Sequence, residues 1–263
     1  MKIYLNFFCL LLLLSCQKKN EYSSIKIIGH AGNGLENSAS FYHDNSKESI
    51  ELALSYEGCD GVEVDVQLSK NGTTWLYHDT HLESQTKQNG CISTSSDEIL
   101  NKTYYKSLNK EKLFQLLHIS KSSLINKCVF LDLRHYNYCE ENYIETALMI
   151  NQIKNFILYH PNTEINVITN YTDWLKELKS LDVNIFYSIE NQFDKSLFDF
   201  PEIESCVFKN KQVSKNDIDY CRQKGKKIAI FEVRSPKSIK EALEKYPDYI
   251  ISDDLKSCII EKY

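Results

Sequence analysis

Proline and glycine are scarce, with four and eight residues in a chain of 263. No Pro/Gly/Ser-rich stretch divides the middle of the chain, which argues for one domain rather than two. There is no internal repeat and no low-complexity block. No CxxC pair occurs, which argues against a zinc site. Positive charge is not in surplus: 31 Lys and Arg against 36 Asp and Glu leave a net charge of −5. That balance excludes a broad nucleic-acid surface, so no nucleic-acid partner is expected. A phosphate-bearing ligand would have to be held by local charge or by metal. The apolar run from Phe7 to Leu14 is too short to span a bilayer as a stable anchor.

What is present suits one globular domain: 42% hydrophobic and 25% charged residues, and enough length for a (β/α)8 barrel. Lys2 and the apolar run after it read as a targeting segment. Leu13-Leu14-Ser15-Cys16 resembles the lipobox of a bacterial lipoprotein, whose cysteine is lipidated and becomes the new N-terminus. On that reading residues 1–16 are a signal peptide ending at Cys16, 17–24 a polar tether, and 25–263 the folded domain. The chain is then expected in the bacterial cell envelope, in the periplasm or at the outer membrane, with the membrane as partner through a lipid anchor. An exported chain can form disulfides, but the seven cysteines beyond Cys9 and Cys16 are odd in number, so at least one stays unpaired. Cys128, Cys206 and Cys258 lie in apolar runs and read as small core residues.

Asp60-Gly61-Val62-Glu63-Val64-Asp65-Val66 has the two-residue period of a strand. The valines take one face. Glu63 and Asp65 take the other, roughly 6–7 Å apart at a strand's rise per residue. If that face is interior, each carboxylate raises the other's pKa, or a cation holds both ionised. Such oxygen ligands suit one hard divalent ion, Ca²⁺ or Mg²⁺. The plainer alternative is the solvated acidic face of an edge strand.

Strands are also predicted at Ile25–Gly29, Thr74–Tyr77, Cys128–Leu133, Glu164–Thr169, Val183–Ile189, Glu204–Phe208, Lys227–Val233 and Tyr249–Ser252. Helices are predicted from an Asn45/Glu48 start to Gly58, near Lys112 to His118, and over about 140–158, 172–180, 215–224 and 236–245. Asn71-Gly72 reads as a hairpin turn. Alternation with eight principal strands predicts a single-domain α/β TIM barrel, with an open doubly wound sheet as the alternative. In a barrel, polar groups at the C-terminal strand ends build the site. His30, Glu63, Asp65, Asp132 and Arg134 all fall there.

Gly29-His30-Ala31-Gly32, Glu36-Asn37, the Asp60–Val66 run, Asn71-Gly72 and His78-Asp79 together resemble the glycerophosphodiester phosphodiesterase family. Ile251-Ser252-Asp253 is similar to the family's last strand, which ends in Asp. The family has a TIM-barrel fold related to phosphatidylinositol-specific phospholipase C and sphingomyelinase D. The resemblance implies hydrolysis of a phosphodiester, a glycerophosphodiester or related lipid head group, with one divalent metal ion and two histidines. Glu63, Asp65 and Asp132 match the metal ligands. His30 and His78 match the catalytic pair, one accepting a proton or attacking phosphorus, the other protonating the leaving alkoxide. Glu36 and Asn37 match a Glu-Asn pair beside the metal and are expected to orient a ligand or bind substrate. Phe231 matches the family's late aromatic at the substrate, and Arg134, at a predicted strand end, is a candidate for binding it. Asp79 orients His78 or caps the following turn. His43, His81, His118, His135 and His160 are assigned no role.

Three departures matter. Most family members carry Glu where Asp132 stands, while sphingomyelinase D-like relatives carry Asp, one methylene shorter. The family usually has a phosphate-binding arginine where Ala31 stands, and Lys26 points the wrong way to replace it; Arg134, Lys209 and Arg234 are candidates. Phe231 replaces the family's late aromatic, often Trp, keeping an apolar wall without the indole donor. Three alternatives stay open: a phospholipase C- or sphingomyelinase D-like route through a cyclic phosphate, a non-catalytic phosphodiester-binding lipoprotein, and a glycoside hydrolase with paired carboxylates.

Overall fold

Valine at alternate positions explains how the second strand sits. Val62, Val64 and Val66 pack outward into the helix-facing core, and Glu63, Asp65 and Gln67 turn to the other face. The computed structural model describes residues 21–35, 41–134, 139 and 145–263. Its strands are β1 (Lys26–Gly29), β2 (Gly61–Leu68), β3 (Thr74–Leu76), β4 (Phe114–Gln115) and β5 (Cys128–Leu133), followed by β6 (Glu164–Thr169), β7 (Asn184–Ile189), β8 (Ser205–Lys209), β9 (Lys227–Val233) and β10 (Tyr249–Ser252). Eight of them pair in parallel in the order β1-β10-β9-β8-β7-β6-β5-β2, and β1 pairs again with β2, which closes the ring. This is a TIM barrel. β3 and β4 extend it as an antiparallel flap on β2, joined through the Asn71-Gly72 turn.

Two core layers hold the ring. The outer layer lies between strands and helices and includes Ile50, Ile153, Leu178, Ile218 and Ile239. The inner layer plugs the barrel with Ile28, Phe130, Phe186, Val207 and Ile251. Phe130 meets Phe186 and Tyr249 edge-on at 5.0 and 5.1 Å between ring centres. A third cluster, around Trp75, Tyr77 and Tyr105, packs under the excursion between β3 and β4. Cys91 and Cys139 form a disulfide, with the His81 ring beside it. Cys59, Cys128, Cys206, Cys221 and Cys258 are free and buried. Among the described residues no helix is long and apolar enough to cross a membrane.

Two local expectations are corrected. Lys112 to His118 is not a helix: Phe114 and Gln115 pair with β3, and only Leu116–His118 forms a 3₁₀ turn. Tertiary pairing overrides local preference there. The helix Lys47–Ser55 is capped by Ser46, which accepts from the Ser49 amide, and not by Asn45. Asn45 has a left-handed φ of 56° and serves the site instead.

Candidate active site

The β2–β5 register sets Asp65 beside Asp132 as Cα partners. Glu63, Asp65 and Asp132 each bring a carboxylate oxygen within 4.8 Å of the other two. Glu63 and Asp65 are only 2% exposed. Glu63 Oε2 accepts from the Ala31 amide at 2.9 Å, but the buried Oε1 has no hydrogen-bond partner. Asp65 is clamped by Asn45, whose Nδ2 donates to Oδ2 at 2.8 Å and whose Oδ1 accepts from the Asp65 amide at 3.0 Å. Arg134 Nη1 lies 3.2 Å from Asp132 Oδ2 and 3.7 Å from Asp65 Oδ1.

Burial, reinforced by the neighbouring Asp65 charge, pushes the Glu63 pKa up to about 8, although His30 opposes it. Burial also pushes Asp132 up to about 6, against the pull of Arg134. Three crowded acids and an orphaned buried oxygen are a poor resting arrangement without positive charge. The all-oxygen donor set fits a hard divalent cation.

Gly29 lets the chain turn sharply out of β1, since a Cβ there would meet the Gly32 carbonyl oxygen at 1.9 Å. His30 follows at once. The β1–β10 register pairs Gly29 with Ser252, so Asp253 stands beside His30. His30 Nδ1 and Asp253 Oδ1 are 2.5 Å apart, and Arg234 Nε holds the other Asp253 oxygen at 3.0 Å. This directs His30 Nε2 to the cluster, 3.7 Å from Glu63 Oε2. Burial alone would lower the His30 pKa, but the Asp253 hydrogen bond and the charges of Glu63, Asp253 and Asp65 outweigh it and push it up to about 9. His78 follows β3, with Nδ1 2.7 Å from Asp79 Oδ1; Ser84 donates to Asp79 Oδ2 at 2.6 Å. Asp79 therefore contacts the His78 ring. Both histidines, the three acids and Arg134 line one cavity of about 330 Å³.

Phe231, Lys209 and Arg234 also reach this cavity. Of the candidates for the missing arginine, Arg234 is engaged with Asp253, and Lys209 lies between Glu190 and Glu232. Arg134 alone of the three contacts the carboxylate cluster. Lys26 lies at the other end of the barrel, paired with Glu164. Ala31 is buried at φ 47° and contributes its amide to Glu63. Glu36, Asn37, His135 and Cys16 lie outside the described residues. Asn45 and Asp253 are the positioning residues that sequence reasoning missed or left without a role. For Asn45 the available signal was an Asn one residue ahead of a helix-capping Ser.

The model of the glycerophosphoryl diester phosphodiesterase family matches residues 30–256. The chain belongs to this family. As a member of it, the protein is a phosphoric diester hydrolase, and enzymes of the family generally use a divalent metal. No curated protein matches the chain significantly. Among solved structures, it is similar to an Oleispira antarctica phosphodiesterase in complex with the product sn-glycerol-3-phosphate. The identity is 18% and the TM-score 0.77, over 92% of this chain and 99% of the other. A glycerophosphodiester phosphodiesterase from Parabacteroides distasonis is similar at 19% identity and a TM-score of 0.73, over 91% and 97%. One from Thermotoga maritima is similar at 18% and 0.69, over 90% and 97%. At these identities the likeness concerns the fold, and the family model carries the assignment.

Proposed function

We propose that the protein hydrolyses glycerophosphodiesters with Ca²⁺ or Mg²⁺ held by Glu63, Asp65 and Asp132, and with His30 and His78 as the acid–base pair. The observation that carries the reading is the unpartnered, buried Glu63 Oε1 in a three-carboxylate cluster lining the histidine-bearing cavity. When bound there, the ion supplies positive charge against the phosphoryl oxygens. Arg134 orients the phosphodiester from the same rim, the task left open by Ala31. Phe231 offers an apolar wall. His78, steadied by Asp79, takes a proton from the attacking water as the new P–O bond forms. His30, kept cationic by its carboxylate neighbours, gives a proton to the leaving alkoxide as the old P–O bond breaks.

The test is release of glycerol 3-phosphate from glycerophosphodiesters with and without chelator. EDTA should abolish release and Ca²⁺ or Mg²⁺ should restore it; full activity in EDTA would remove the metal from the reading. Phosphorus NMR during turnover should show a phosphomonoester and no cyclic phosphate, whereas a cyclic product would favour attack by a substrate hydroxyl. The lipobox-like Leu13-Leu14-Ser15-Cys16 supports a lipid-anchored enzyme of the bacterial cell envelope, acting near its membrane source of substrate. Cys16→Ser should move the protein from the membrane fraction to the soluble one; unchanged membrane retention would count against the anchor.

A further inference from the structure

Across the barrel from the carboxylates stands a second charged wall. β8 lies four strands from β2 in either direction round the eight-strand ring. Its last residue, Lys209, holds Nζ 3.8 Å from Glu190 Oε2 and 3.7 Å from Glu232 Oε1. The same Nζ is 6.0 Å from the centre of the Phe231 ring. All four residues line the cavity that contains Glu63 and His30. Strict alternation would send Phe231 and Glu232 to opposite faces of β9. They share the cavity because β9 bulges: Ile230 pairs with Ile250 and Val233 with Ser252, so two residues oppose one. Glu232 takes φ 58°, in the left-handed region that glycine adopts freely. A glutamate kept there at a cavity wall is backbone strain at a functional surface.

We propose that this wall selects the head group of the diester, and that the class it selects is a neutral polyol: glycerol, inositol or a sugar. The inference rests on the phosphodiesterase reading above. Neither Lys209–carboxylate distance is a hydrogen bond, so the ammonium and both carboxylates remain available to a ligand. An ammonium head group would belong between the two carboxylates, and Lys209 already occupies that place. A head group with an extra carboxylate meets two glutamates against one lysine. Neutral hydroxyls satisfy both kinds of partner, accepting from Nζ and donating to Glu190 and Glu232, while C–H groups rest on Phe231.

The experiment measures kcat/KM on the full chain for the glycerol, inositol, choline, ethanolamine and serine esters of glycerol 3-phosphate, with release of glycerol 3-phosphate as the common readout. The first two should lead the others by about tenfold or more. Lys209→Met should reverse the order, because two uncompensated carboxylates then favour choline and ethanolamine. Circular dichroism checks that this variant folds. The double variant Glu190→Gln with Glu232→Gln is the second probe and should raise the serine ester relative to the choline ester. Equal kcat/KM across the panel, or an order that neither variant changes, overturns the head-group assignment and leaves the phosphodiesterase reading standing. No release from any ester overturns the parent reading and this one with it.

Discussion

The two ends of the barrel use the same materials to opposite effect. At the N-terminal end, Glu164 accepts from Lys26 Nζ and from the Tyr249 hydroxyl, both at 2.6 Å. Asp60 accepts from the Ile27 amide and lies 3.6 Å from Lys262 Nζ. Each acid there has its own donors. Burial tends to raise the Glu164 pKa, but Lys26 and Tyr249 outweigh it and hold it below the usual carboxylate range. At the C-terminal end three acids converge, and one oxygen of Glu63 goes without a partner. The same desolvation there, with a like charge added, carries Glu63 up to about 8. Acids matched one to one with donors stabilise a fold. Acids gathered in excess make it a receptor for positive charge, at a cost in stability.

The sharpest way to break this contrast is at His30 and His78, the two histidines that line the cavity at the crowded end. His30→Ala and His78→Ala should each lower kcat/KM by about 100-fold or more and leave the circular dichroism spectrum unchanged. Near-wild-type rates in both would mean that the charged cavity is not a reaction site.

How much of this end was legible beforehand depends on how local each feature is. Glu63 and Asp65 announced themselves because alternation within one strand fixes which side chains share a face. Asp132 followed because it falls at the C-terminal end of the next predicted barrel strand and matches a ligand position of the family; its register beside Asp65 came only with the fold. Thr74–Leu76 and the eight parallel strands were readable for the same reason. Asn45 was not, since its role needs a left-handed φ and a contact to Asp65 across 20 residues. The β9 bulge was hidden as well: nothing in Phe231-Glu232-Val233 itself disobeys alternation, and the irregularity exists only in the pairing with β10. Lys112 to His118 misled because its apolar spacing suits a helix, while the exposed edge of β3 claims Phe114 and Gln115 as partners.

A smaller effect should come from Asn45, which touches a candidate ligand and not the substrate. Asn45→Ala removes both hydrogen bonds to Asp65. It should weaken Ca²⁺ or Mg²⁺ binding by about 10- to 100-fold, read by calorimetry, with activity recovering as metal is raised. A loss of kcat that saturating metal fails to restore would place Asn45 in the chemistry instead.

The mildest comparison is thermal, and it pits the two glutamates directly against each other. Glu63 has a folded pKa of about 8 against an ordinary 4.5. The folded state therefore binds the extra proton between those values, and its stability falls as pH rises from about 5 to about 8. His30, raised from 6.5 to about 9, adds to that fall in its upper part, because its stabilising charge is lost as pH climbs through the folded value. Glu164 is shifted the other way, so its contribution is complete above its unfolded pKa and is lost only in more acid solution. In chelator, the wild-type melting temperature should drop across this window. Glu63→Gln should flatten the drop and raise stability at the alkaline side. Glu164→Gln should keep the slope and lower the melting temperature throughout, by the equivalent of about 1 kcal/mol of unfolding free energy, the usual worth of a hydrogen-bonded partner. If Glu63→Gln left the slope untouched while Glu164→Gln abolished it, the crowded end and the paired end would have to exchange their roles.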